Sequence, residues 1–262
     1  METKDTQNQY ITVDGLEVRY KTAGEGQPLL ILHGWGGSLE SWGRIQDRVV
    51  REGYQVTTID LPGFGQTSPP PKVWGIADYS EFVYKFVEKL GISRTSILAH
   101  SFGGQIAIQF AVKYPDKADR LLLCAAAGVR RKKGLKIQVV QLVAKIGKIV
   151  IYLLPFESLQ ERARKLFYRA IRRRDYVRAK GIMKEIFQKV IREDLSFSFA
   201  YIRMPTLIVW GSQDQITPLI DGERMKDSML ETELKVIQGS GHNIHFDAPD
   251  ELVDILLRFL KQ

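Results

Sequence analysis

The run Thr95-Ser96-Ile97-Leu98-Ala99-His100 is short and largely apolar, and it stops at Ser101-Phe102-Gly103-Gly104. Gln105-Ile106-Ala107-Ile108-Gln109-Phe110-Ala111 then takes up helical spacing. The pattern predicts a buried strand, a very tight turn and a helix, with serine at the turn. Such a turn strains its central residue and demands small residues two places before and two places after it. Ala99 and Gly103 fill those places. The hydroxyl then sits at a strand tip and at a helix N-terminus, whose dipole favours developing negative charge. Taken alone, these ten residues also fit a serine that merely caps a helix.

The same unit recurs along the chain. Tyr10–Val13 and Leu16–Tyr20 around Asp14-Gly15 predict a β-hairpin. Pro28–Leu32 is a continuous apolar run, as expected of a strand buried on both faces, and ends in His33-Gly34-Trp35-Gly36-Gly37. A helix is expected over about 38–51, a strand over Tyr54–Asp60, a helix over Tyr79–Leu90 and a strand over Arg120–Ala126. From Gly128 to Ala200 no strand-like run occurs. That stretch carries helical stripes such as Leu159, Ala163, Leu166, Phe167 and Ala170, then Ile182, Met183, Ile186, Phe187 and Val190. Strands resume at Pro205–Trp210 and Glu233–Ile237, and Pro249 opens a last helix to Leu260. Alternating strands and helices give a mostly parallel sheet with right-handed crossovers. The expected fold class is α/β: about eight strands flanked by helices, with a core at 1–127 and 201–262 and a helical cap at 128–200 inserted after the sixth strand.

Composition narrows the function. Hydrophobic content of 44% and charged content of 26% over 262 residues are those of a globular chain. The polar start has no apolar signal segment, and the apolar stretch Leu135–Leu154 is interrupted by Lys136, Lys145 and Lys148. With a single cysteine, Cys124, these features predict a cytoplasmic protein. No Cys/His spacing suggests zinc and no Gly-rich phosphate loop occurs, so neither metal nor cofactor is expected. The net charge of +8 is uneven: residues 128–200 hold 19 Lys+Arg against 6 Asp+Glu, the remainder 19 against 24.

An acyl-transfer serine needs a base and a group that orients the base. The chain has four histidines, His33, His100, His242 and His245, all in or beside loops at strand ends. His242 follows Gly239-Ser240-Gly241 after the last strand, and Asp214 stands four residues past the Pro205–Trp210 run. With the elbow Ala99-His100-Ser101-Phe102-Gly103, the chain resembles the α/β-hydrolase family over nearly its whole length. That family's elbow is usually Gly-x-Ser-x-Gly, so Ala99 is a departure. The resemblance implies the triad Ser101, Asp214 and His242, in the family's order, with His33, His100 and His245 in supporting places. It also implies an oxyanion hole made by the backbone N–H groups of Trp35 and Phe102. Relatives that open epoxides or displace halide have aspartate at the elbow. Serine points instead to attack on a carbonyl, and the lack of a His-Gly-Gly-Gly run argues against the lipases that use one.

The expectation is therefore a serine hydrolase of carboxylic esters or lactones, taking a small molecule with an apolar acyl part. Two alternatives share these motifs: a hydrolase of carbon–carbon bonds in ring-cleavage diketones, and a ligand receptor with little turnover. In the cap, Lys136, Gln138, Gln141, Lys145, Lys148 and Tyr152 form one polar stripe on an otherwise apolar helix. That helix either lines an acyl pocket or lies at a lipid interface. The cluster from Arg162 to Lys180 is either a solvated face or a weak contact for an anionic membrane surface. Aromatic interleaving is missing, so no nucleic-acid partner is expected.

Overall fold

The computed structural model describes residues 8–130 and 181–262. Eight strands form one sheet in the order β1-β2-β4-β3-β5-β6-β7-β8. They are β1 (Gln9–Val13), β2 (Leu16–Ala23), β3 (Gln27–Leu32), β4 (Tyr54–Ile59), β5 (Thr95–His100), β6 (Ala118–Cys124), β7 (Thr206–Gly211) and β8 (Thr232–Ile237). β2 pairs antiparallel with β1 and β4; every later pairing is parallel. The expected eight-stranded, mostly parallel sheet is thus present.

Helices cover both faces, which is why the central strands are largely apolar. On one face α2 (Ile76–Lys89), α3 (Phe102–Lys113), α4 (Ile182–Val190) and α5 (Leu219–Ser228) pack Phe82, Ile106, Ile186 and Met225 into a core with Leu30, Leu32 and Ile97. On the other, α1 (Gly43–Arg51) and α7 (Pro249–Leu260) bury Ile45, Val49, Leu252 and Leu256 against Leu29, Ile31 and Leu98. The one-turn α6 (Ile244–Asp247) precedes α7.

Three local differences from expectation have physical causes. The helix expected over about 38–51 is a 3-10 turn at Leu39–Trp42 followed by α1. α2 begins at Ile76, before Tyr79, because Gly75 N–H donates to the Asp78 carboxylate at 2.7 Å and caps the helix there. α5 carries no apolar stripe; it buries Asp221, Gly222 and Met225, and a Cβ at Gly222 would fall 2.8 Å from the Trp210 ring.

The cap expected at 128–200 falls largely outside the described residues, including Ile137–Leu154, Leu159–Ala170 and the basic cluster Arg162–Lys180. Its described end holds α4 and reaches a 3-10 turn at Ser196–Tyr201. Met183, Val190 and Leu195 there share the core cluster of α3.

Candidate active site

All the candidate residues lie at the carboxyl ends of β3, β5, β7 and β8. Ser101 follows β5 with φ 51° and ψ −112°, in a region that non-glycine residues seldom occupy. The turn is stitched to its neighbour: Ser101 N–H donates to Cys124 O at 3.1 Å, and Ser101 O accepts from Ala127 N–H at 3.0 Å. The tight side of the elbow is the helix side. A Cβ at Gly103 would lie 2.4 Å from Leu32 O, and one at Gly104 2.5 Å from Ala126 Cβ. Ala99, by contrast, is an ordinary buried strand residue in register with Leu32 and Leu123, so its methyl is accommodated.

The β7 and β8 loops carry the other two residues. Backbone bonds zip them together, Gln213 N–H to Ser240 O at 2.9 Å and Ser212 N–H to Ile237 O at 3.0 Å. The approach is so close that a Cβ at Gly211 would meet Gly241 O at 2.2 Å. This brings Ser101, His242 and Asp214 into line. His242 Nε2 lies 3.0 Å from Ser101 Oγ, and His242 Nδ1 lies 2.8 Å from Asp214 Oδ2.

Asp214 is buried, and burial works against its charge. The hydrogen bond and charge of His242 oppose burial, as do the donors Ile216 N–H and Thr217 Oγ1–H, and together they hold its carboxyl below the usual range. Each oxygen accepts twice: Oδ1 from Ile216 N–H at 2.8 Å and Thr217 N–H at 3.0 Å, Oδ2 from His242 Nδ1–H and from the Thr217 hydroxyl at 2.8 Å. An ionised carboxylate has about four lone-pair sites, and all are in use.

The remaining histidines divide the support between them. His100 Nε2 lies 2.9 Å from His242 O; a carbonyl only accepts, so this nitrogen carries the proton. Burial, with His242 and His245 nearby, pushes the His100 pKa well below 6.5. His245 stacks on Trp42 at 4.5 Å, and burial lowers its pKa to about 4. Among the described residues its Nδ1 has no hydrogen-bond partner, and Asp214 bonds to His242, not to it. His33 donates from Nδ1 to Gly34 O at 2.8 Å and accepts Leu61 N–H on Nε2 at 3.0 Å, which fixes a neutral ring. Burial lowers its pKa as well.

The β3 loop reaches Ser101 from the opposite side. A Cβ at Gly34 would lie 3.3 Å from Ser101 Cβ. The next residue, Trp35, packs its ring on Phe64, Phe102 and Phe187 at 4.9, 5.2 and 4.9 Å. Among the described residues no hydrogen bond takes up the backbone N–H of Trp35 or Phe102. Beneath this loop the buried Asp60 accepts from Arg19 Nε at 2.7 Å, Leu39 N–H at 2.8 Å and Gln66 N–H at 2.8 Å. The loop that follows β4, from Asp60 to Ser68, is thus anchored by an ion pair. A groove of about 590 Å³ lined by Val73, Asp78, Gln188, Lys189 and Glu193 lies between α2 and α4, and none of the residues in line with Ser101 lines it.

Sequence reasoning missed Thr217 and the backbone role of His100. The spacing Asp-x-x-Thr was a usable signal for the first, since aspartate commonly accepts N–H groups two and three residues on.

The chain matches the family model for the alpha/beta hydrolase fold over residues 27–249. It belongs to the α/β-hydrolase family. A curated relative, a 2-hydroxy-6-oxononadienedioate/2-hydroxy-6-oxononatrienedioate hydrolase of Pseudomonas sp., is 26% identical, covering 93% of this chain and 91% of its own. Among solved structures, a membrane phospholipase A described as a bacterial virulence factor is 25% identical with a TM-score of 0.78, covering 97% of this chain and 86% of that one. An esterase from Exiguobacterium antarcticum is 21% identical with a TM-score of 0.77, covering 98% and 100%, and attests the fold alone. Among the described residues no group of three or more His, Cys, Asp or Glu is arranged to hold a metal ion. No described helix is long and apolar enough to cross a membrane.

Proposed function

We propose that this α/β-hydrolase is a serine hydrolase that cleaves carboxylic esters or lactones through an acyl-enzyme. The observation that carries the reading is the unbroken series Ser101 Oγ, His242 and Asp214 Oδ2, at 3.0 and 2.8 Å, starting from a serine held at φ 51°. Because Nδ1 donates to the carboxylate, Nε2 is bare and faces the hydroxyl. His242 takes the proton as Ser101 Oγ attacks the carbonyl, and Asp214 stabilises the imidazolium. The backbone N–H groups of Trp35 and Phe102 receive the oxyanion. Collapse of the tetrahedral adduct passes the proton from His242 to the leaving alcohol. A water deprotonated by the same ring then frees the acid and restores Ser101. The aromatic surround of Trp35 suits an apolar acyl part.

The curated relative from Pseudomonas supports a second reading, hydrolysis of a carbon–carbon bond beside a ketone, which needs the same serine and base. A panel of p-nitrophenyl esters, lactones and a ring-cleavage diketone, run on wild type and Ser101→Ala, separates the two. Ester or lactone turnover that Ser101→Ala abolishes upholds the first reading. Turnover of the diketone alone upholds the second, and tight binding without turnover leaves a ligand receptor. We propose one further element, weak contact of the 128–200 segment with anionic lipid, resting on its 19 Lys+Arg against 6 Asp+Glu. Co-sedimentation with anionic but not neutral vesicles, lost at high salt, is the expected result.

A further inference from the structure

Thr217 stands three residues past Asp214, and its main chain and side chain both serve that carboxylate. Its N–H donates to Oδ1 at 3.0 Å and its hydroxyl to Oδ2 at 2.8 Å. Oδ2 is the same oxygen that accepts His242 Nδ1–H, and Thr217 Oγ1 lies 3.2 Å from that nitrogen. The hydroxyl, the carboxylate oxygen and the ring nitrogen therefore form a closed triangle.

A threonine hydroxyl has one proton and two lone pairs. Two acceptors compete for the proton here, Asp214 Oδ2 at 2.8 Å and Ala125 O at 3.2 Å. The nearer one is ionised, and charge-assisted bonds are the stronger. With the proton directed to Asp214, a lone pair faces His242 Nδ1. A lone pair there favours the tautomer with hydrogen on Nδ1, which is the tautomer that leaves Nε2 bare toward Ser101.

The threonine is itself held rigidly. Trp210 Nε1–H donates to Thr217 O at 2.6 Å, and Trp210 is fully buried in β7. Pro218 restricts Thr217 to extended backbone, and a β-branched side chain has few rotamers to choose from. The hydroxyl is therefore placed by the sheet.

We propose that Thr217 is a positioning residue: its hydroxyl fixes the rotamer of Asp214 and, through the shared oxygen, the tautomer and orientation of His242. The inference rests on the acyl-transfer reading given above. The test pairs Thr217→Val, which removes the hydroxyl at nearly constant volume, with Thr217→Ser, which keeps it. Both are made in the wild-type and Asp214→Asn backgrounds and assayed on a p-nitrophenyl ester. Loss of one hydrogen bond to a charged group predicts a fall in kcat of about 10- to 100-fold for Thr217→Val, with KM little changed. Thr217→Ser should recover most of that loss. In Asp214→Asn, Thr217→Val should add nothing, because the group it acts through is already disabled. The low-field proton NMR resonance of His242 Nδ1–H should move in Thr217→Val and stay in Thr217→Ser. This signal does not require turnover, so it judges Thr217 even if the ester reading fails in the Ser101→Ala comparison. Wild-type kcat with an unmoved resonance overturns the proposal, and so does an equal loss in both backgrounds. Should Thr217→Val fail to fold, Thr217→Ala read by the same resonance decides.

Discussion

On one side of Ser101, Asp214 and His242 are fixed by polar contacts, four hydrogen bonds converging on one buried carboxylate. On the other side, Trp35 is held by three aromatic rings, over a loop pinned by the neutral His33. The first arrangement concentrates its effect in a few bonds to charge, each worth about 1.5–3 kcal/mol. The second spreads it over many contacts of about 0.5–1.5 kcal/mol each. The proposed acid–base side should therefore fail sharply on single substitutions and the proposed oxyanion side gradually.

The sharpest break is at the junction. Ser101→Ala should fold normally and lose at least about a thousandfold in kcat. His242→Ala should be nearly as damaging and Asp214→Asn somewhat less, while His245→Ala should be much milder because Asp214 bonds to His242 alone of the two. Steady-state kinetics with a fluorophosphonate probe check this; labelling that survives Ser101→Ala would place the nucleophile elsewhere. The elbow also predicts a gain: Ser101→Gly should add about 1 kcal/mol of stability, since glycine relieves the strain at φ 51°.

The oxyanion side has one exception to its diffuse character. Asp60→Ala leaves the Arg19 guanidinium, 4% exposed, without its buried partner and Leu39 N–H without an acceptor. Loss of one member of a buried pair costs about 3–5 kcal/mol. Urea unfolding at neutral pH measures it. A loss below about 1 kcal/mol would mean that Glu40, 3.1 Å from Arg19 Nη2, compensates.

The pH response separates the two kinds of support. His33, His100 and His245 all have pKa values lowered below 6.5 by burial. Above 6.5 the folded and unfolded chains both carry neutral rings and the contribution to pH dependence vanishes. As pH falls below 6.5 the unfolded chain takes up protons that the folded chain refuses, so stability drops by up to about 1.4 kcal/mol per pH unit per ring. For His245 the drop ends near pH 4. Asp214 acts lower: its depressed carboxyl contributes in full above the ordinary value of 3.8 and is lost only below it. Melting temperature should thus fall between pH 6.5 and 4 in both wild type and Asp214→Asn, and less steeply in His245→Phe. An unchanged slope in His245→Phe would remove that ring from the account.

The unequal legibility of the chain has the same origin. β3, β5, β6 and β7 each hold a buried apolar run because helices cover both their faces, so their positions follow largely from hydrophobicity. Ser101 and Asp214 were readable because each follows such a run with an abrupt change of residue type, and His242 because it closes the Gly-rich loop after the last strand. α5 was not, because little of it is apolar and its contact with Trp210 is made through Gly222. His100 bonds a carbonyl 142 positions away, and no local pattern encodes that. Thr217 lies close to Asp214 in sequence, yet its meaning depends on a histidine brought in by the β8 loop.

The smallest effect is expected where the oxyanion side meets α4. Phe187 packs on Trp35 at 4.9 Å with the rings inclined at 56°, while Phe64 and Phe102 meet the same indole at 81° and 76°. The last two geometries are edge-to-face, the favoured arrangement, and both rings belong to the buried core. Phe187→Leu leaves those two contacts and the backbone of His33–Gly37 untouched. The expected loss is about 1 kcal/mol or less, roughly fivefold in kcat/KM, and should appear mainly in KM because the proposed oxyanion donors remain in place. Kinetics on a short and a long acyl ester, with Thr217→Val measured in parallel, set the two sides against each other. A hundredfold fall in kcat for Phe187→Leu would show the oxyanion donors hanging on one ring, and the contrast between a concentrated and a distributed side would be wrong.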